Sequence, residues 1–398
     1  MKILLVANYL PDRQRSMQRF AAMLRDGLRA CGHEVRVVHP RPILGRRVGR
    51  GVLTAPGGSL TSLRRGEGTA PCLAFARKWR AYLDKFVFFP RTLRRAAQWA
   101  DVVHICDHSN AMYVSQLAGK PHLVTCHDLL AVRGALGEST NCPATPAGKI
   151  LQRWILGGLR RAQMIVCVSS ATRADLLRLA GAEIDQRSCV VLSGVTPTMH
   201  PLSREESARR LMDIPASPGT RPFLLNVGSN LSRKNREGAL RIFKIVSQRF
   251  DCDLVFTGDA LSPELRQLKN EIGLNGNVLE VPAPTDAILE ALYSNAFALL
   301  YPTKFEGFGW PAIEAQICGC PVVSSQSTSI PEVVGDSALL RAPEDEEGFA
   351  ADVLTLTDER LRQQFIARGF ENVKRFTTER MAGDYIRIYQ KLCVPGSN

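Results

Sequence analysis

The chain has 398 residues, 45% apolar and 22% charged, a length too great for one ordinary core and suited to two domains of similar size. It has no run of 18 or more apolar residues and so no candidate transmembrane helix. The net charge is +13, and its distribution is lopsided: residues 1–100 hold 20 Lys and Arg against 5 Asp and Glu, while the remainder holds 31 against 33.

The opening "MKILLVANYLPD" has one Lys, a short apolar run and an early acid. A secretory signal would need a longer apolar region and a small-residue cleavage site, so residues 2–7 are predicted as a buried strand and the protein as cytoplasmic. A helix near 15–31 and the strand "EVRVV" (34–38) follow. The next stretch, 39–68, is basic and Gly-rich and reads as a loop. Residues 72–95 then mix Trp79, Tyr82, Phe86, Phe88 and Phe89 with Arg and Lys. That mixture suits a helix lying on an anionic membrane surface; the alternative is a solvated helix face whose aromatics are core. No nucleic-acid motif accompanies it, so no nucleic-acid partner is expected.

Strands are predicted at "DVVHI" (101–105), "HLVTC" (122–126), "MIVCVS" (164–169) and "CVVL" (189–192), with helices near 147–162 and 171–180. The segment 193–222, rich in Pro, Ser and charge, is the seam. A second series follows: "PFLLNVG" (222–228), "DLVFTG" (253–258), "NVLEVP" (277–282), "FALLYP" (297–302) and "PVVSS" (321–325). Helices near 236–250, 262–272, 285–294 and 311–318 separate these runs, and a helical region closes the chain. Continuous apolar runs separated by helices indicate parallel strands covered on both faces, and two series indicate two doubly wound α/β domains. Ligands of such sheets bind beyond the carboxyl ends of the strands, which directs attention to the residues there.

After the strand at 222–228 come Gly228, Ser229 and then Arg233 and Lys234, just ahead of a helix beginning near Arg236. A Gly at a strand end admits a ligand close to backbone, and cations beside a helix N-terminus attract phosphate. After the strand at 297–302 comes "KFEGFGWPAIEA". Phe308 and Gly309 offer amides, Pro311 suits the first helical position, Glu306 lies in the loop and Glu314 one turn inside the helix. Two carboxylates can accept hydrogen bonds from vicinal hydroxyls of a sugar or ribose; alternatively Glu314 is solvated and Glu306 caps the helix. His127 and Asp128 follow the strand at 122–126, where the His either faces the ligand or bonds local backbone. His108, in "DHSN" (107–110), either lines the acceptor side or belongs to a helix cap. "DCD" (251–253) enters a strand at its amino end, and "EDEE" (344–347) reads as a solvated turn, so no metal site is assigned. Eleven cysteines, mostly inside apolar runs, read as small buried hydrophobes.

"EGFGWPAIEA" with "CGCPVV", "IPEVVGD", "VGSNLSRKN", "VTCHDL" and "CVSSATRADLL" resembles the retaining glycosyltransferases of family 4, which have the GT-B fold of two Rossmann-like domains facing a central cleft. "DHSNAMY" and "GKPHLVTCHD" resemble the bacterial mannosyltransferase-like members that act on cell-surface polysaccharides. The resemblance covers nearly the whole chain outside the basic insert near 40–75. It implies an acceptor-side domain over 1–198, a nucleotide-sugar domain over 199–375, and a helix over 376–398 packing back on the first.

The resemblance further implies transfer of a hexose, first of all mannose, from a nucleotide-diphosphate sugar to a saccharide or lipid-linked saccharide, with no cofactor and no metal. Arg233 and Lys234 would take the diphosphate, with Gly228 and Ser229 beside it. Glu306, with Phe308 and Gly309, would orient the donor sugar, Glu314 would bind ribose, and His127 would reach the reacting centre. Asp128 and His108 would stand on the acceptor side. Three positions depart from the family pattern: the loop "ANYLPDRQRSMQ" lacks Gly, Ser229 stands where many relatives have Arg, and Ile330 replaces a Gly before "PE". Two other readings suit the same motifs: a nucleotide-sugar epimerase or hydrolase of this architecture, and a non-catalytic sugar-nucleotide-binding scaffold.

Overall fold

The computed structural model describes residues 1–12, 14–42, 82–140, 142–195, 198–212, 214, 217–274 and 276–394. Nearly all of the basic insert, with Arg77, Lys78, Trp79 and Arg80, lies outside them. The chain divides into two compact units. The first comprises Met1–Thr125, Trp154–Ile165 and Tyr385–Asn398, the second Cys126–Arg153 and Val166–Asp384.

Twelve strands of the described residues form two six-stranded sheets in which every described ladder is parallel. The first contains β1 (Lys2–Val6), β2 (Glu34–Val38), β3 (Val102–Ile105), β4 (His122–Cys126), β5 (Met164–Cys167) and β6 (Ser188–Val190), in the order β2-β1-β3-β4-β5-β6. The second contains β7 (Phe223–Gly228), β8 (Asp253–Gly258), β9 (Val278–Pro282), β10 (Ala298–Tyr301), β11 (Val322–Ser325) and β12 (Leu339–Arg341), in the order β12-β11-β10-β7-β8-β9. Central strands β1, β3, β7 and β10 bury their apolar runs almost completely, as strands covered on both faces must. The edge strand β2 is mostly exposed instead, with only Val35 buried.

In the second sheet, Phe223, Leu225 and Leu299 pack on one face against Leu292, Tyr293 and Ile313. Leu224, Leu254 and Leu300 pack on the other against Leu240, Phe243 and Phe349. In the first unit, the helix Arg15–Ala30 buries Phe20, Leu24 and Leu28, spaced at helical period. Tyr385 and Tyr389 of the last helix, Thr378–Cys393, are fully buried in that unit. His104 of β3 lies 2.7 Å from Tyr389 Oη through Nδ1 and 2.7 Å from Thr125 Oγ1 through Nε2. Thr125 Oγ1 in turn lies 2.8 Å from Tyr385 Oη. Each polar group there has a partner, which is the condition for burying it.

Two elements differ from the sequence expectation. The run at 189–192 pairs only as far as Val190. Leu339–Arg341, expected within the terminal helical region, is instead an edge strand beside β11, too short for periodicity to reveal.

Strand order fixes where ligands enter. In the first sheet the order reverses between β1 and β3, in the second between β7 and β10. At such a switch point adjacent connections leave on opposite faces and open a crevice beyond the carboxyl ends.

Candidate functional site

The loops that follow β7 and β10 flank the switch point of the second sheet. β7 ends in Gly228 (φ +154) and β8 in Gly258 (φ +103). A Cβ on Gly258 would stand 2.2 Å from the Gly228 carbonyl oxygen, so the two strand ends can approach this closely only with glycine at 258. The chain then makes a 3-10 turn, Ser232–Lys234, and enters the helix Arg236–Val246 through Asn235 in the left-handed region. Asn235 Nδ2 donates to the carbonyls of Pro302 (2.9 Å) and Pro343 (3.1 Å), and the Lys304 amide donates to the Arg233 carbonyl (2.7 Å). The two loops are thus bonded to each other through backbone.

Between them lies Glu306, 7% exposed. Its Oε1 accepts from Lys234 Nζ (2.6 Å), the Tyr301 hydroxyl (2.6 Å) and the Thr303 hydroxyl (2.8 Å). Its Oε2 lies 3.4 Å from Arg233 Nη1, which also donates to the Phe305 carbonyl (3.2 Å). Lys234 Nζ donates as well to Tyr301 Oη (2.9 Å). Burial pushes the Glu306 carboxyl up, but the charges of Lys234 and Arg233 and the hydrogen bonds from Lys234 and Tyr301 outweigh it and hold the pKa below the usual carboxylate value. Lys234 is held below the usual lysine value by burial first, against the pull of Glu306, with Arg233 and Arg236 adding repulsion. The cation cluster depresses Glu306 outright, whereas for Lys234 it only adds to the larger effect of burial. The site therefore carries surplus positive charge in partly dehydrated surroundings, which is what an incoming polyanion requires.

The Glu306 loop is fixed from behind. Thr328 Oγ1 donates to the Glu306 carbonyl (2.8 Å) and Ser329 Oγ to the carbonyls of Glu306 (3.0 Å) and Phe308 (2.9 Å). Gly307 has no room for a side chain, since a Cβ there would meet the His127 carbonyl oxygen at 2.0 Å. Ser169 Oγ donates to the Gly307 carbonyl (2.8 Å) while capping the helix Ser170–Ala180. Gly309 (φ +101) caps the helix Trp310–Ile317, and Phe308 is buried edge-on against Phe376 at 5.7 Å. Glu314 is 4% exposed rather than solvated, and its Oε2 accepts from Tyr293 Oη (3.1 Å).

The predicted residues Gly228, Ser229, Arg233, Lys234, Glu306, Phe308, Gly309, Glu314, His127 and Asp128 all belong to the second unit, with Arg233, Lys234 and Glu306 in direct contact. Asp128 Oδ1 accepts from the Leu130 amide (3.1 Å) at the start of the following helix. Sequence reasoning missed Tyr301 and Thr303, the hydroxyls that complete the Glu306 cage. The signal for them was a Tyr and a Thr at the end of an otherwise apolar strand run.

His108 belongs to the first unit, at that sheet's own switch point. Its Nδ1 lies 3.2 Å from Asp107 Oδ1. Asp107 caps the helical segment His108–Gln116 through the Ser109 amide (2.9 Å) and accepts from Asn8 Nδ2. Asn8 Oδ1 accepts from Asn110 Nδ2 (2.8 Å). Asn8 was also missed, because the loop after β1 has no glycine to mark it; Asn110 was read only within "DHSN" (107–110).

The pair of sheets and these loops have counterparts among known proteins. Residues 17–198 match the Glycosyltransferase Family 4 domain and residues 207–372 the Glycosyl transferases group 1 domain. O-antigen chain mannosyltransferase B of Escherichia coli is 29% identical over 249 residues, 61% of this chain. That match takes in 65% of the relative's length, a little under two thirds. Among solved structures, sucrose-phosphate synthase of Thermosynechococcus elongatus superposes with a TM-score of 0.71 at 19% identity, covering 98% of this chain and 99% of that one. Anabaena HepE in complex with UDP and glucose superposes with a TM-score of 0.69 at 16% identity, covering 98% and 100%. The fold is GT-B.

Proposed function

The chain is a family 4-like member of the glycosyltransferases, and from that premise we propose that it moves a hexosyl unit from a nucleotide-diphosphate sugar to a saccharide hydroxyl with retention at the anomeric carbon. The observation that carries this reading is the cationic surplus around Glu306 at the second sheet's switch point. Arg233 and Lys234 take the diphosphate and stabilise the charge that grows on it as the C1–oxygen bond breaks. Each contact of this kind contributes roughly 2–4 kcal/mol at the transition state. The acceptor oxygen forms the new bond to C1, and its proton leaves with the nucleoside diphosphate. Glu306 receives hydroxyls of the donor sugar, with the Phe308 and Gly309 amides beside it, and Glu314 receives the ribose. His127 and Asp128 stand next to Gly307 and serve the reacting centre, while His108 serves the acceptor.

Mannose from a guanosine donor is the preferred sugar, by similarity to the O-antigen mannosyltransferase. We assign the donor domain to 199–375 and the acceptor domain to 1–198, with 376–398 returning to the latter. Acceptor-dependent release of nucleoside diphosphate tests the reaction. K234A and E306A should each abolish it while leaving a folded protein, and near-normal turnover in either would remove the assignment.

A lipid-linked acceptor presented at a membrane surface fits the basic and aromatic first quarter. Among the described residues, no helix is long and apolar enough to cross a membrane. Leu83, Val87 and Trp154 of the first unit are each more than 40% exposed, beside Lys85 and the ring of Phe86. Co-sedimentation with phosphatidylserine vesicles, weakened by salt and by charge reversal at Arg77, Lys78 and Arg80, is the expected result. Salt-insensitive binding unaltered by those changes would count against it.

A further inference from the structure

Arg236 is the first residue of the helix Arg236–Val246 and is only 3% exposed. Both features are costly. A cation at a helix N-terminus opposes the helix dipole, and a buried guanidinium without a carboxylate partner gives up its hydration. Among the described residues Arg236 forms no ion pair, and its Nε has no hydrogen-bond partner. Burial lowers its pKa to about 10, with the charges of Asp259 and Glu280 acting the other way. If the position needed only packing, a Leu or Met would be cheaper.

What arginine adds is its fork of donors. Nη1 donates to Asn230 Oδ1 (2.8 Å) and the Asp259 carbonyl (2.8 Å). Nη2 donates to the carbonyls of Gly228 (2.5 Å) and Thr257 (2.8 Å). The guanidinium also lies over the Phe256 ring, 5.2 Å from its centroid. The fork thus grips the end of β7, the end of β8 and the start of the loop that carries Arg233 and Lys234. Asn230 extends the grip, since its Nδ2 donates to the Ala260 carbonyl (2.6 Å) and its amide to Asp259 Oδ2 (3.2 Å). The loop is anchored at Gly228 and Asn230 by a residue that itself terminates it. Lys234 runs back along Gly228: a Cβ there would meet its Cδ at 3.4 Å.

We infer that Arg236 is a positioning residue for the diphosphate pocket, which sets where Arg233 and Lys234 stand by tying the ends of β7 and β8 together without itself touching the donor. This rests on the reading of that pocket given above. Its charge also adds to the positive field at Lys234.

The test uses the full chain with GDP and UDP as probes and the matching nucleosides as controls, by calorimetric titration. R236M keeps side-chain length and removes the donors, R236K keeps the charge and loses the fork, and N230A removes one gripped group while leaving Arg236. R236M and R236K should each weaken diphosphate binding by about tenfold or more and nucleoside binding by less than about twofold, with N230A between them and the native chain. R236A should recover diphosphate affinity on addition of methylguanidinium. A folded R236M or R236K with native diphosphate affinity overturns the inference, as does an equal loss for nucleoside and diphosphate. If R236M does not fold, R236K and N230A still decide. K234A separates the two levels. If it retains diphosphate affinity, the pocket reading itself fails; if it loses affinity while the Arg236 variants do not, only the positioning role fails.

Discussion

Replacing Glu306 by Gln should weaken the fold and strengthen nucleotide-diphosphate binding together. The native carboxylate accepts four hydrogen bonds or ion contacts, from Lys234, Tyr301, Thr303 and Arg233. Breaking a buried ion pair outright costs about 3–5 kcal/mol. The Gln amide oxygen still accepts from Lys234 and the hydroxyls, so about 2 kcal/mol of stability is expected to go, read from urea denaturation. A diphosphate arriving at the native site must share Lys234 and Arg233 with a fixed anion. In E306Q that competitor is gone, and a gain of about tenfold in diphosphate affinity is expected, or about 1.4 kcal/mol. Turnover should nevertheless fall by about a hundredfold or more, because the group proposed to receive the donor sugar's hydroxyls has lost its charge. The three results point in different directions, so no general damage imitates them. A folded E306Q that binds GDP or UDP more weakly than the native chain would refute the reasoning from surplus positive charge.

Four further outcomes follow from the structure. If Lys234 takes the diphosphate as proposed, binding needs it charged; its pKa lies below the ordinary 10.5, so affinity should fall on the alkaline side at a lower pH than an ordinary lysine gives. The fall should begin lower still in E306Q, where the carboxylate that raises the Lys234 pKa is absent, and higher in K234R; titrations across pH read both. For stability, Glu306 has a depressed folded pKa, so its contribution is present above the ordinary carboxylate value and is lost as pH falls through the folded one. G307A places a methyl 2.0 Å from the His127 carbonyl oxygen, and about 2–3 kcal/mol of destabilisation with loss of turnover is expected by thermal denaturation and assay. Y389F removes the hydroxyl 2.7 Å from His104 Nδ1 in the core and should cost about 1–2 kcal/mol while leaving diphosphate affinity unchanged.

Much of this was legible in the chain because the relevant signals are local. Apolar runs of four to six residues ending in Gly or polar residues mark parallel strands, and the residues just beyond them included Lys234 and Glu306. What stayed hidden depends on distant parts of the chain. Ser169 reads as a helix cap, and only the fold sets its hydroxyl on the Gly307 carbonyl, 138 residues away. Asn8 and Asp107 meet across 99 residues, because β1 and β3 are neighbours. Arg236 marks only a helix start in the sequence, since no sequence pattern distinguishes a buried fork from an exposed one. Tyr301 looks like strand packing, and its hydroxyl becomes informative only beside Lys234 and Glu306.

The buried chain of His104, Thr125, Tyr385 and Tyr389 also bears on how the protein is made. Its members come from positions up to 285 residues apart. The first sheet's strands are synthesised long before the tyrosines that satisfy His104 and Thr125. Until then those two groups face either water or an unfilled hollow, so the first unit begins before the second and is completed after it. Clipping the chain ahead of residue 385 would leave this unit unfinished, however well the diphosphate pocket had formed.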